Sequence, residues 1–128
     1  MQRQQAFELE LIVGVKRDAL GTCLLVGAGG LLAELAGDIA SLMLDPDRPL
    51  NPEEAKGLLQ RLKIWPLLQG YRGKPGLAID GVIATLIGMD QLARQMSDRL
   101  LEAEVNPLLV GLAGQGAWAA DALIVMGD

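Results

Sequence analysis

Glu8-Leu9-Glu10-Leu11-Ile12-Val13-Gly14-Val15-Lys16 is the stretch that decides the fold. Leu9, Leu11, Val13 and Val15 alternate onto one face, the pattern of a strand with one side in a core. Glu10, Ile12, Gly14 and Lys16 take the other face, a mixed surface with two charges. Residues 18–21 follow as a turn. Residues 22–26 are a second strand, continuously apolar and so central, and a hairpin is the simplest way to join the two.

Working outward, Gly27-Ala28-Gly29-Gly30 is a glycine-rich turn, where positive φ or close backbone approach is allowed. Residues 31–35 read as a short turn or helix, 38–44 as a third strand and 45–49 as a loop. Asn51 then opens the clearest helix. It is a good N-cap, Pro52 suits the first helical position, and Glu54 completes a capping-box pattern. Ala55, Leu58, Leu59 and Leu62 form its apolar stripe. Trp65-Pro66 is expected to end it, because the residue before proline avoids helical geometry.

Residues 67–76 read as a loop. A longer helix capped by Asp80 should bury Ile79, Val82, Ile83, Leu86, Met89, Ala93, Met96 and Leu100, with Arg94, Asp98 and Arg99 as solvated charges. Residues 101–105, 108–111 and 117–125 read as closing strands. Six strands, mostly in hairpins, with two helices between the third strand and the closing set, predict an α+β fold: a largely antiparallel sheet with helices on one face.

Composition narrows the chemistry. The chain of 128 residues can hold one domain with its own core. Its net charge of −5 offers no basic stripe, which argues against nucleic acid as a partner. Cys23 is the lone cysteine and lies in an apolar run, consistent with a buried thiol and a reducing compartment. There is no histidine, so the commonest general base and phosphoryl carrier is missing. The N-terminal Met-Gln-Arg-Gln-Gln has no apolar region behind it, and the longest apolar stretch falls short of the ~20 residues of a membrane span. A soluble, cytoplasmic protein that does not enter a membrane is expected.

Four constellations carry possible chemistry. Asn106, in Glu104-Val105-Asn106-Pro107, and Asp121 bear hard oxygen ligands of the kind Mg²⁺ takes together with phosphate and water. An Asn-Pro turn would return the chain beside itself and set Asn106 next to Asp121. Ala119, Ala120, Ala122 and Leu123 put the Asp121 carboxylate in apolar company, where it needs a partner. The plainer alternative is a turn and an exposed strand residue. Residues 27–30 are either a phosphate cradle or a tightly packed turn. Gly70-Tyr71-Arg72-Gly73 is either a surface loop or an Arg72 clamp for phosphate or carboxylate. Val13-Gly14-Val15-Lys16-Arg17-Asp18 is either a solvated strand end or a device aiming Lys16 at phosphate.

The order of these strings is more specific than any one of them. Glu10 to Asp18, Gly27 to Gly30 with Glu34, Gly70 to Gly73, Glu104 to Leu108 and Ala120-Asp121-Ala122 together resemble the C-terminal subdomain of the ATP-grasp module in ADP-forming (NDP-forming) acyl-CoA synthetases, relatives of succinyl-CoA synthetase β chains. The resemblance runs from about Phe7 to Ile124. It implies an ATP-grasp subdomain fold and part of an acid–thiol ligase that interconverts acyl-CoA, ADP and phosphate with acid, CoA and ATP. It implies Asn106 and Asp121 as Mg²⁺ ligands, Glu104 beside the transferring phosphate, and Glu10 lining the nucleotide cleft. Phosphoryl transfer depends on positioning and charge neutralisation, which suits such residues.

Departures from the family pattern shape the expectation further. Ala19-Leu20-Gly21-Thr22 replaces a longer Pro-x-Phe-Gly-Pro turn. The partner subdomain with its nucleotide lysine, the CoA-binding domain and a phosphohistidine are all absent. The chain is therefore expected to be one domain, residues 1–128, of a larger or split synthetase, inactive alone, with the remaining domains or subunit and the nucleotide as its partners. Its 51% hydrophobic content points to self-association as well. The alternative is a non-catalytic nucleotide-sensing or scaffold module, like the synthetase portion of some protein acetyltransferases.

Overall fold

A computed structural model of the chain describes residues 7–30 and 37–127. Residues 1–6, 31–36 and 128 lie outside the described residues, and with them the expected turn or helix at 31–35 and Glu34.

Among the described residues, six strands make one sheet: β1 (Leu9–Asp18), β2 (Gly21–Ala28), β3 (Ile39–Met43), β4 (Leu100–Val110), β5 (Ala117–Ala119) and β6 (Ala122–Met126). Every pairing is antiparallel, in the order β3-β2-β1-β4-β5, with β6 also on β4. β2 is flanked on both sides, but β1 is the middle strand. Three helices follow β3: α1 (Pro52–Gln60), α2 (Trp65–Gln69) and α3 (Ile79–Met96). This is the α+β arrangement expected from the pattern.

β1 explains the layering. Leu11 and Val13 are wholly inaccessible and Leu9 and Val15 nearly so. Their cross-strand partners Leu24, Val26, Ala103, Val105 and Leu108 are buried with them, and α1 and α3 supply Ala55, Leu58, Leu59, Val82 and Leu86 to the same core. The described helices therefore cover one face of the sheet. The face bearing Glu10, Ile12, Gly14 and Lys16 is the opposite one.

α1 starts as expected. The Asn51 side chain accepts from the Glu54 N–H at 2.8 Å, and Glu54 accepts from the Asn51 N–H at 3.2 Å. It stops earlier than expected, at Gln60, where the Arg61 N–H turns back to the carbonyls of Leu58 and Leu59. Trp65-Pro66 opens a second helix instead of ending the first. Proline has no N–H to donate, and the first helical turn needs none. Part of the expected loop at 67–76 is thus helical. The buried Asp38 carboxylate anchors the two residues before this helix, accepting from the Lys63 N–H at 2.7 Å and the Ile64 N–H at 2.9 Å.

α3 begins at an Ala78 N-cap with no side-chain cap, so Asp80 is not the expected cap. It stands in the first turn, where a carboxylate meets the positive end of the helix dipole. Arg94 is no ordinary solvated charge either. It pairs with Asp90, which is fully buried.

Candidate functional site

The site is built on the face of the sheet away from the helices. Gly14 stands opposite Glu104, Lys16 opposite Glu102 and Glu10 opposite Leu109. A Cβ added at Gly14 would lie 3.9 Å from the Glu104 Cβ, so the two positions share that face. The same Cβ would press on the Ala103 carbonyl oxygen at 3.1 Å, so the glycine allows the close approach of β1 to β4 beside half-buried Glu104.

β4 does not turn at Asn106-Pro107. Val105 pairs with Val13 and Leu108 with Leu11, so the chain stays in the ladder on both sides and bulges between them. Proline cannot donate to a ladder, and a bulge is a position where none is required. The reversal occurs later, at residues 111–116, where Gly114 and Gly116 adopt positive φ. β5 and β6 then return along β4 and are separated by Ala120-Asp121. The break in the returning chain lies opposite the bulge. The Asn106 N–H donates to the Asp121 carbonyl at 3.1 Å, and the Ala120 N–H donates to the Pro107 carbonyl at 3.0 Å. The expected neighbours are neighbours, brought together by a different turn.

Asn106 and Asp121 are both exposed, contrary to the apolar surroundings expected for Asp121. Ala119 ends β5, Ala120 is in the bend and Ala122 begins β6, and all three are exposed. Asp121 Oδ1 accepts from the Ala122 N–H at 2.8 Å, which orients the carboxylate and leaves Oδ2 without a hydrogen bond among the described residues. No group of three or more His, Cys, Asp or Glu side chains gathers among the described residues. A cation held here would thus rest on one carboxylate and one amide oxygen. Mg²⁺ bound with nucleotide fits such a sparse set, since it takes one or two carboxylates and fills its other positions with phosphate and water.

Glu10 is half-buried beside the glycine turn. The Gly29 N–H donates to the Glu10 carbonyl at 2.9 Å, and a Cβ at Gly30 would overlap the Glu10 carboxylate. Gly30 has φ +60°. Of the two readings of residues 27–30, tight packing is the one observed at this point. The turn holds an acid against itself, which is unfavourable for a phosphate. Lys16 is exposed on the open face and joins no ion pair among the described residues. Arg72 lies in the exposed segment after α2 with φ +50° and stacks on Tyr71, its guanidinium carbon 5.2 Å from the ring centre. No hydrogen bond or ion pair ties it to Glu104, Asn106 or Asp121 among the described residues.

The ATP-grasp domain family matches residues 1–126. The chain belongs to it. This ATP-grasp chain is 28% identical over 118 residues to the β subunit of acetate–CoA ligase [ADP-forming] II of Pyrococcus furiosus, covering 91% of the chain and 48% of that subunit. Its fold superposes on the crystal structure of the Pyrococcus horikoshii protein PH1788 with a TM-score of 0.85 and 26% identity, over 97% of this chain and 51% of that one. It also superposes on acetyl-coenzyme A synthetase 1 of Ca. Korarchaeum cryptofilum in complex with coenzyme A and Mg-AMPPCP, with a TM-score of 0.77 and 27% identity, over 93% of this chain and 53% of that one. The ATP-grasp chain therefore spans about half the length of these relatives.

The resemblance to ADP-forming acyl-CoA synthetases holds on this comparison. No helix among the described residues is long and apolar enough to cross a membrane. The carboxylates that periodicity alone did not single out are Asp38 and Asp90, and both are structural. Asp90 was legible in principle: it lies on the buried stripe between Leu86 and Ala93, with an arginine four residues on.

Proposed function

We propose that this ATP-grasp chain carries the metal-nucleotide side of an ADP-forming acyl-CoA synthetase, which interconverts acyl-CoA, ADP and phosphate with a carboxylic acid, CoA and ATP. The observation that carries the reading is the Asn106–Asp121 juxtaposition at the bulge of β4, with Glu104 two residues away in the same strand. In this reading Asn106 and Asp121 hold Mg²⁺ through one oxygen each. Glu104 faces the transferring phosphate beside Gly14, and Glu10 lines the cleft further along β1. Lys16 offers a mobile positive charge to phosphate from the same face, and Arg72 a second one from the loop after α2.

Bound Mg²⁺ would supply charge neutralisation on the phosphates, the main demand of phosphoryl transfer. The chain's own residues bind and orient. A phosphohistidine must come from elsewhere, because the chain has no histidine. CoA, the acyl group and the other wall of the cleft belong to the rest of the synthetase. The half-length coverage of the relatives supports that division.

The test is ATP formation from acyl-CoA, ADP and phosphate by the natural polypeptide or subunit pair that contains this chain. Activity lost in Glu104→Gln with the fold intact supports the reading. A folded, complete assembly that binds nucleotide but makes no ATP with any short or aromatic acyl-CoA replaces it with the non-catalytic sensing module.

A further inference from the structure

The two edges of the sheet are treated differently. At one edge, the Arg61 guanidinium donates to the Ser41 carbonyl of β3 at 2.8 Å, and α1 packs beside that strand. At the other, β6 pairs with β4 on one side and, among the described residues, with nothing on its other side. Proteins usually blunt such an edge with charge, proline or a cover, because its free N–H and C=O groups template another strand. β6 reads Ala-Leu-Ile-Val-Met, with none of these devices. Leu123 is 56% exposed and Ile124 53%, and Val125 and Met126 are exposed too.

β6 is apolar on both faces. Ala122, Ile124 and Met126 pair with buried Val105, Ala103 and Leu100 and so lie on the helix side, while Leu123 and Val125 lie on the open side. A helix laid on β6 would cover one face only. An added strand extends both. On the helix side an apolar groove of about 310 Å³ runs between α3 and the strand, lined by Thr85, Gly88, Leu92 and Ile124 among others. Gly88 leaves that wall open, since a Cβ there would meet nothing within 4 Å.

We propose that β6 pairs with β6 of a second copy of this chain, antiparallel and centred on Ile124, to make one continuous sheet across a two-fold axis. The strand is its own complement. Ile124 faces its copy, and Ala122 faces Met126 of the second copy. Apolar side chains thus meet on both faces, and the groove under α3 receives the partner's helix-side residues. Charge permits it in spite of the net −5. β6 has no charge, and this register sets each Asp121 against the other copy's Gly127. The two Asp121 residues are then about 20 Å apart along the strands, beyond the roughly 8–10 Å screening length at physiological salt. A five-residue strand buries less than the roughly 800 Å² per partner of a standard interface. The dimer is therefore weak and concentration-dependent. Its two-fold axis is perpendicular to the sheet and leaves both open faces on the same side, so the pairing does not depend on the function proposed above.

Sedimentation of the chain across concentrations from about 5 μM to about 1 mM should show reversible dimer formation by mass action. Ile124→Lys and Ile124→Glu should each weaken dimerisation at least about tenfold through like-charge repulsion at the axis, with circular dichroism unchanged. An equimolar mixture of the two should dimerise again, because each charge then faces its opposite. Should either charged variant fail to fold, Ile124→Thr, which keeps the strand preference, should weaken the dimer in the same direction. A wild-type chain that stays monomeric throughout overturns the proposal and leaves the edge to another part of the synthetase. A dimer that survives Ile124→Lys overturns it, as does a mixture that fails to recover.

Discussion

Arg94 grips Asp90 across one turn of α3 and ties the helix to the loop that leads into α1. Its Nε lies 3.0 Å from both Asp90 oxygens, and its Nη2 donates to the carbonyls of Asp45 at 2.7 Å and Arg48 at 2.6 Å. Asp90 also accepts from the Leu50 N–H at 3.1 Å. The hydrogen bond to the Asp90 carboxylate holds the Arg94 guanidinium above its ordinary pKa.

Removing one member strands the other. Arg94→Met leaves a fully buried carboxylate without its cation, which should cost about 3–5 kcal/mol in urea unfolding. Asp90→Leu combined with Arg94→Met should recover part of that loss, since no charge is then buried. A single-variant cost within experimental error would mean that the pair does not hold the loop.

Asp38 ties β3 to α2 in a similar way. Asp38→Ala leaves the N–H groups of Lys63 and Ile64 without their acceptor. The expected loss is about 1–3 kcal/mol, and Asp38→Asn, with one carbonyl oxygen retained, should fall between wild type and alanine. Equal stability of Asn and Ala variants would contradict the two-donor anchor.

Acid should find Glu54. The Arg48 guanidinium and then the Asn51 N–H hold its carboxyl below the ordinary glutamate range. A lowered folded pKa gives stability that is complete above the unfolded value of about 4.3 and is lost as pH falls through the folded one. Glu54→Gln should therefore show a shallower fall in melting temperature on acidification than wild type. Parallel profiles for the two proteins would remove Glu54 from the acid response.

Gly30 and Glu10 compete for one space. Gly30→Ala forces a side chain into the carboxylate at a positive φ, at a conformational cost of roughly 1–2 kcal/mol plus the overlap. In a Glu10→Ala background the overlap disappears, so the same change should cost less. Additive effects would show that the turn does not pack on Glu10.

Much of this was legible in the sequence, for identifiable reasons. Alternation in β1 revealed the buried face, and the Asn51–Glu54 box revealed the start of α1, because both signals are local. The turn expected at Asn106-Pro107 is absent, because proline's local preference for a turn is outweighed by the ladder on either side. Trp65-Pro66 was misread because proline ends one helix by the same property that lets it begin another. The Asp121 surroundings failed for a different reason: neighbours in sequence are not neighbours in space at a bend between edge strands. Arg94 needed the fold, since its partners at Asp45 and Arg48 are more than forty residues away.

The most direct test is Mn²⁺–ADP binding, followed by electron paramagnetic resonance, to the assembly that contains this chain, comparing wild type with Asn106→Ala, Asp121→Ala and the distant control Lys56→Ala. A direct ligand should matter at least as much as its supporting partners, whose loss weakens metal binding roughly 10–100-fold. The account predicts at least tenfold weaker Mn²⁺–ADP binding in both ligand variants, a changed Mn²⁺ spectrum, and no effect of the control. Unchanged affinity and spectrum in folded Asn106→Ala and Asp121→Ala would contradict it.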